Sequence, residues 1–331
     1  VPEPYHLWVS LALIASCVSD RVWIEKLRGS RWVPNLYVLL LGPSGLGKGE
    51  AINTACRLVK PYTEKQLGAD GQPLPMLNVY YGKATGQYVA DFMSGRERDA
   101  PRRVTRRMVR KVEPKQRLML VNEELALDIG RGPQADDFIK YMTGLYSGSP
   151  LPFRDGTRTA GEAAVPNPCL NWLAGTTEEW LVASVTRDAI EGGFFARVVT
   201  VVGDYDLDNR VPEPTYPLDY DAIVAALRRC VEILLTVAEG PVAMTPSAQL
   251  VANHWYSVRP TPADEQLLPT WKRQPVLVYK VAMLLALSSW VVRYALWQDD
   301  GAEGLAPELV IDRAEIIAAQ RMLVKVQAPI G

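Results

Sequence analysis

The clearest chemistry in the chain lies in one short run, Gly42-Pro43-Ser44-Gly45-Leu46-Gly47-Lys48. Its glycines let consecutive backbone N–H groups turn inward as a nest for an anion, and the helix that follows adds the positive end of its dipole. Lys48 supplies a point charge for the β- and γ-phosphates. The pattern G-x-x-x-x-G-K thus points to a nucleoside triphosphate, with Gly49 and Glu50 next along the bound phosphates. Such loops normally place Ser or Thr directly after the lysine to ligate Mg2+. Gly49 has no side-chain oxygen, so the metal loses one ligand and water is expected in its place. Nucleotide binding is expected to survive this departure better than hydrolysis does.

A second group of residues carries negative charge. Leu118-Met119-Leu120-Val121-Asn122-Glu123-Glu124 is an apolar run ending in carboxylates. Hydrolysis needs an acidic residue on the metal side and a base for the attacking water. Two registers satisfy that need. In the preferred one Glu123 is the base and Asn122 stands on the metal side. Shifted by one, Glu123 is the metal-side residue and Glu124 the base. Further on, Ala174-Gly175-Thr176-Thr177 closes another apolar run, and Thr176 is placed to bond the γ-phosphate or the water. A Thr before Glu178 and Glu179 is equally a helix cap, and the two roles fit one threonine each.

Several arginines add to this set. Arg197 follows Gly192-Gly193-Phe194-Phe195-Ala196 and enters an apolar run, where it is placed to stabilise transition-state charge on a neighbouring subunit's γ-phosphate; pairing with the acidic stretch downstream is the plainer reading. Arg273 precedes a long apolar helix in which Pro275 suits a first turn, and reads either as a nucleotide contact or as a solvated charge. Residues 96–117 hold ten Arg or Lys against three acids. Arg106, Arg107 and Arg110 make that stretch a candidate for nucleic-acid phosphates, or else a solvated face. In Phe153-Arg154-Asp155-Gly156-Thr157-Arg158-Thr159 the Asp-Gly pair signals a hairpin turn with Arg154 and Arg158 at its tip.

These residues need a scaffold. Leu36–Leu41 is a continuous apolar run ending in the glycine-rich loop, as expected of a central parallel strand buried on both faces. Strands are also expected at 22–27, 77–81, 117–121, 169–174 and 197–202, and helices at 5–18, 50–60, 85–93 and 135–146. Strands alternating with helices predict an α/β fold with a parallel sheet. The stretch 203–221 has three prolines, six acids and one arginine, and reads as a linker. After it only helices are expected, near 221–237, 246–257, 275–296 and 312–327. The expected organisation is an N-terminal helix and strand segment (1–34), an ATPase core (35–203), the linker (204–220) and a C-terminal helical lid (221–331).

Composition narrows the partners. Thirty-six basic residues face thirty-seven acidic ones, so net charge selects no partner and local clusters must. The four cysteines form no C-x-x-C pair and only two histidines accompany them, which argues against zinc or a disulfide framework and for free thiols in a reducing cytosol. The uncharged run Val281–Val292 is too short to span a bilayer and suits a buried helix. The chain opens on Val1, which reads as a fragment with a further domain upstream.

Taken together, these motifs resemble the AAA+ ATPases that carry a hairpin before the sensor strand, a group that includes the minichromosome maintenance and viral superfamily-three helicases. The likeness is strongest to a phage and prophage helicase-like domain family often fused downstream of primase modules. It runs from Arg31-Trp32-Val33-Pro34-Asn35-Leu36-Tyr37 through Gly42–Lys48, the strand ending at Glu123, Ala174–Thr177 and Gly193–Arg197 to Arg273 and Lys280. The resemblance implies a P-loop parallel-sheet core with an all-helical C-terminal domain, and ATP with Mg2+ as ligands. It implies Lys48 on phosphate, Glu123 as base, Thr176 as first sensor, Arg197 as a finger acting in trans and Arg273 as second sensor. Arg154 and Arg158 would face DNA, single- or double-stranded, in the channel of a homo-hexamer. The implied function is an ATP-dependent helicase or translocase in a bacterial host's cytoplasm, with primase as a partner and no membrane. The alternative is a nucleotide-binding switch or loader that hydrolyses weakly.

Overall fold

Tyr37-Val38-Leu39-Leu40-Leu41 is buried at every position, and alternate side chains of this strand enter two different hydrophobic cores. That arrangement requires strands on both sides and helices on both faces. The computed structural model describes residues 1–26, 29–64, 77–98, 109–111, 116–125, 133–146, 152–157, 161–184, 193–204 and 217–326. In chain order the main elements are α1 (Glu3–Val18), β1 (Val22–Glu25), β2 (Arg31–Trp32), β3 (Tyr37–Leu41), α2 (Lys48–Val59), β4 (Val79–Tyr81), α3 (Gly86–Met93), β5 (Arg96–Arg98), β6 (Val109–Lys111), β7 (Arg117–Asn122), α4 (Pro133–Leu145), β8 (Phe153–Thr157), β9 (Gly161–Val165), β10 (Cys169–Thr176), α5 (Glu178–Ser184), β11 (Val198–Val202), α6 (Tyr220–Thr236), α7 (Pro246–Val258), α8 (Leu268–Asp299) and α9 (Arg313–Val326). Short bridges at Gly240–Pro241, Ala243–Met244 and Val310–Ile311 tie the C-terminal helices to β1 and to one another.

Five strands form one sheet in the order β11-β3-β10-β7-β4, and every neighbouring pair is parallel. The pleat sorts side chains by face. Val38, Leu40, Met119, Val121, Leu173, Val199 and Val201 join α1, α2, α6 and α8 in one core. Tyr37, Leu39, Leu118, Leu120, Trp172 and Val198 join α3 and α4 in the other. The chain is therefore α/β, as the alternation of elements indicates, and the helices after 220 share the first core with the sheet.

Local chemistry sets two helix starts, whereas Pro275, expected in a first turn, lies inside α8, which begins at Leu268. Thr85 caps α3 by accepting the Tyr88 N–H at 3.2 Å, and Pro246 occupies the first turn of α7 behind the Thr245 cap. All four cysteines are free. Among the described residues one helical span, Glu265–Asp299, which takes in α8, is long and apolar enough to cross a bilayer, and 61% of its apolar window is buried inside the fold.

Two antiparallel strand pairs lie outside the five-stranded sheet. β5 and β6 pair antiparallel within the basic stretch, Arg96 opposite Lys111, where no strands are expected from the sequence. β8 and β9 pair just before β10, as expected, but the Asp155-Gly156 pair is not their turn. Both residues lie inside the strand, opposite Ala163 and Glu162. Asp155 is drawn there by Tyr141 on α4, whose hydroxyl donates to Oδ2 at 2.6 Å. Arg154 stands opposite Ala164, well back from the Thr157–Gly161 end of the paired strands. Arg158, Arg106, Arg107 and most of the acidic linker lie outside the described residues; the backbone of Arg110 pairs with Glu97.

Candidate functional site: a phosphate-binding cleft

The glycine-rich loop joins β3 to α2 at the C-terminal edge of the sheet. Gly47, the residue before α2, has φ of 89°, a left-handed conformation that glycine adopts without strain. Lys48 folds back on the loop, its Nζ donating to Gly42 O at 2.6 Å and Pro43 O at 2.7 Å. Those two carbonyls hold the ammonium where an incoming phosphate would replace them. Burial pushes the Lys48 pKa down, and Glu124 and Glu179 oppose the shift.

A cleft of about 650 Å3 opens beside this loop, lined by Ser44, Gly45, Gly47, Lys48 and Gly49 from the loop and helix. The tips of three strands complete it: Tyr81 and Gly82 at the end of β4, Glu123 and Glu124 after β7, and Gly175, Thr176 and Thr177 at β10. Ligand crevices of open parallel sheets lie at this edge. Glu50, which the sequence places beside the phosphates, instead accepts from Arg57 at 2.5 Å along the outer face of α2. A second cavity, of about 380 Å3, lies between α1, α2, α6 and α8; its lining is mostly apolar, with His6, Arg57 and Arg228 among it.

Pleating fixes the roles of the acidic strand end. Val121 faces the α2 side, so Asn122 faces the other side and Glu123 returns to α2. Asn122 is fully buried. Its Nδ2 donates to Gly82 O at 2.8 Å and its Oδ1 accepts the Trp172 indole N–H at 2.8 Å. Asn122 is thereby committed to holding β4, β7 and β10 together and does not line the cleft, which corrects its expected place beside the metal. Glu123 lies against α2: Asn53 Nδ2 donates to Oε1 at 3.2 Å, and the Tyr81 hydroxyl donates to Oε2. Neither Asn53 nor Tyr81 was singled out in the sequence. Glu124 is exposed at the cleft.

The two threonines divide their work. Thr177 Oγ1 accepts the Trp180 N–H at 3.4 Å and caps α5. Thr176 is buried and lines the cleft.

The arginines lie elsewhere. Arg197 precedes β11 and Asn35 precedes β3, so both belong to the N-terminal edge of the sheet. Arg197 is buried, donates to Gly193 O at 2.5 Å and sits 5.9 Å from the Tyr146 ring, and its Nε finds no partner. Burial lowers its pKa first, and the nearby Arg273 lowers it further. Lys280 lies 4.1 Å over the same Tyr146 ring and donates to Asn35 O and Oδ1 at 3.1 and 2.5 Å. Among the described residues no carboxylate pairs with Arg197, Arg273 or Lys280. Arg273 is thus placed with Arg197, a strand's length of roughly 15–20 Å from the chain's own phosphate loop.

No family model matches the chain, and no curated protein matches it in sequence. Among the described residues no group of three or more His, Cys, Asp or Glu forms a metal cage. The two carboxylates at the β7 tip nonetheless suit Mg2+, which is commonly held by one or two carboxylates plus substrate phosphates.

Proposed function

We propose that this cleft binds ATP with Mg2+ and hydrolyses it, and that the chain is a ring-forming, hexameric DNA helicase or translocase of a phage or mobile element, acting in the host cytoplasm alongside a primase. The observation that carries the nucleotide reading is the convergence of Lys48, Glu123, Glu124 and Thr176 on one cleft from three adjacent parallel strands. In hydrolysis the water oxygen bonds to the γ-phosphorus and the bond to the β–γ bridging oxygen breaks. A carboxylate takes the water proton, and ADP leaves with the electron pair. Bound Mg2+ would neutralise charge on the phosphates, with one β7 carboxylate as its protein ligand and the other free to accept the proton.

Three features support the AAA+ motor reading. The strand order β11-β3-β10-β7-β4 places the phosphate strand beside the sensor strand. A hairpin precedes β10, and a second, basic hairpin follows α3. Arg197 and Arg273 stand together without a described carboxylate, at an edge that their own cleft cannot reach. A triphosphate on a neighbouring subunit would supply the missing anion. The absence of a hydroxyl at Gly49 favours a second reading, a nucleotide switch or loader with weak turnover.

ATP turnover measured with and without single-stranded DNA, beside Arg197→Ala, tests the motor. The expected result is DNA-stimulated turnover that falls about 1,000-fold or more in the variant, with nucleotide affinity retained. DNA-indifferent turnover by a monomer would refute it, and tight binding without turnover would select the switch.

A further inference from the structure

Gly49 stands where a phosphate loop usually presents a metal-binding hydroxyl, and the space for that side chain is already filled. A Cβ on Gly49 would collide with Glu123 Oε1 and stand 3.1 Å from Cδ and 3.3 Å from Cγ. Contacts that close require the carboxylate to turn away. It is not free to do so at no cost, because Asn53 and Tyr81 grip one oxygen each. Asn53 lies one helical turn beyond Gly49 on the same face of α2, Tyr81 ends β4, and Glu123 follows β7. Three elements thus converge to press one carboxylate into the place a serine or threonine would occupy.

We infer that Glu123 replaces the missing hydroxyl as the loop-side ligand of the nucleotide's divalent cation, with Asn53 and Tyr81 as its positioning residues. Glu124 is then left as the acceptor of the water proton. This assignment rests on the proposed nucleotide function. It turns Gly49 from a defect into one half of a matched pair, since the carboxylate fits only because position 49 has no side chain. It also selects the second of the two registers that the sequence allowed, because the pleat turns Asn122 away from α2.

The exchange changes the charge at the site, which makes it measurable. A hydroxyl is neutral, whereas Glu123 places a negative charge beside a triphosphate. Without a cation that charge repels the nucleotide, and with one it becomes a strong ligand. Affinity for a fluorescent non-hydrolysable ATP analogue, titrated in MgCl2 and in EDTA, reads both effects without requiring turnover. The wild-type chain is expected to bind about tenfold or more tightly with Mg2+. Glu123→Gln is expected to bind better than wild type in EDTA and to lose the Mg2+ gain. Gly49→Ser, which displaces the carboxylate, is expected to reduce the gain rather than restore a conventional site. Asn53→Ala adds nothing to the crowded space and keeps the test open should Gly49→Ser fold poorly; it is expected to reduce the gain while leaving more of it than Glu123→Gln does. A full Mg2+ gain in Glu123→Gln, or an enlarged one in Gly49→Ser, would overturn the assignment while leaving the nucleotide reading intact. No binding by the wild-type chain in either buffer would overturn both.

Discussion

Replacing Lys280 with methionine should change how the protein's stability depends on pH. The lysine is 4% exposed, its ammonium is held by Asn35, and the charges facing it from the surrounding elements are Arg273, Arg197 and Lys26, all cationic. Burial is the largest influence and brings its pKa from 10.5 down to about 7; Cys169 opposes the shift, and Arg273, Arg197 and Lys26 add to it. The unfolded chain therefore binds a proton that the folded chain has released, throughout the interval between these two values. Stability contributed by this site rises with pH across that interval, and the penalty is complete and constant below it.

With one proton at stake the slope is about 1.4 kcal/mol per pH unit, or about 2 kcal/mol between about pH 7.5 and about pH 9. Methionine keeps the length and apolar volume of the side chain but cannot titrate. It leaves Asn35 Oδ1 short of a donor, a cost of about 1–3 kcal/mol that does not vary with pH and only offsets the curve. Cys17 and Cys169 oppose the trend at higher pH. Burial pushes their thiols from 9.0 up to about 12, so the unfolded chain loses protons that the folded one keeps, and stability falls above about pH 9. The window is closed there for that reason. Urea unfolding of both proteins at a series of pH values measures the difference in stability directly. Parallel profiles for wild type and Lys280→Met would refute the reasoning, because they would mean that the buried amine carries its proton throughout.

Trp172→Phe deletes the indole N–H that satisfies the fully buried Asn122 and is expected to cost about 1–3 kcal/mol in urea unfolding; an unchanged midpoint would contradict the bonding described for that asparagine. Thr177→Ala should cost about 1 kcal/mol as a lost cap, whereas Thr176→Val should leave stability nearly unchanged and lower ATP turnover. Lys48→Ala should preserve the fold, since its partners are two loop carbonyls, and abolish nucleotide affinity measured by fluorescence titration.

Much of the scaffold was legible because its signals are local. The apolar run ending at Gly42 has no polar position to expose, so it had to be a central strand, and the helices expected at 85–93 and 246–257 begin where Thr85 and Pro246 act within one turn. Non-local constraints were harder to see. Asp155-Gly156 is a strong turn signal, yet Tyr141, from an earlier helix, recruits the aspartate into a strand. The basic stretch shows net charge but little alternation, which hid the β5–β6 hairpin within it. Asn53 and Tyr81 carry no motif at all, and only the packing of α2 and β4 against β7 brings them to Glu123. The clue to the Asn122 error was nonetheless present. Val121 and Glu123 share a face, so strict two-residue periodicity counted from the buried strand would have placed Glu123, not Asn122, beside the helix that follows the loop.

That same periodicity bears on assembly. A parallel sheet gathers the ends of all its strands at two opposite edges, and the chain divides its charged chemistry between them. Carboxylates, glycine-rich loop and ammonium lie at one edge. Two guanidinium groups and a buried lysine, none of them paired with a described carboxylate, lie at the other, beside the Arg117–Asp20 ion pair at the start of β7. A strand's length separates them, so no side-chain rotation within one molecule can join the halves. Burying such a cluster unpaired costs free energy, and a fold retains that cost where an anion arrives from outside. On the proposed reading the anion is a neighbour's triphosphate, and a ring in which every subunit presents one edge to the next satisfies every site at once, because a head-to-tail contact that closes leaves no cluster without its partner.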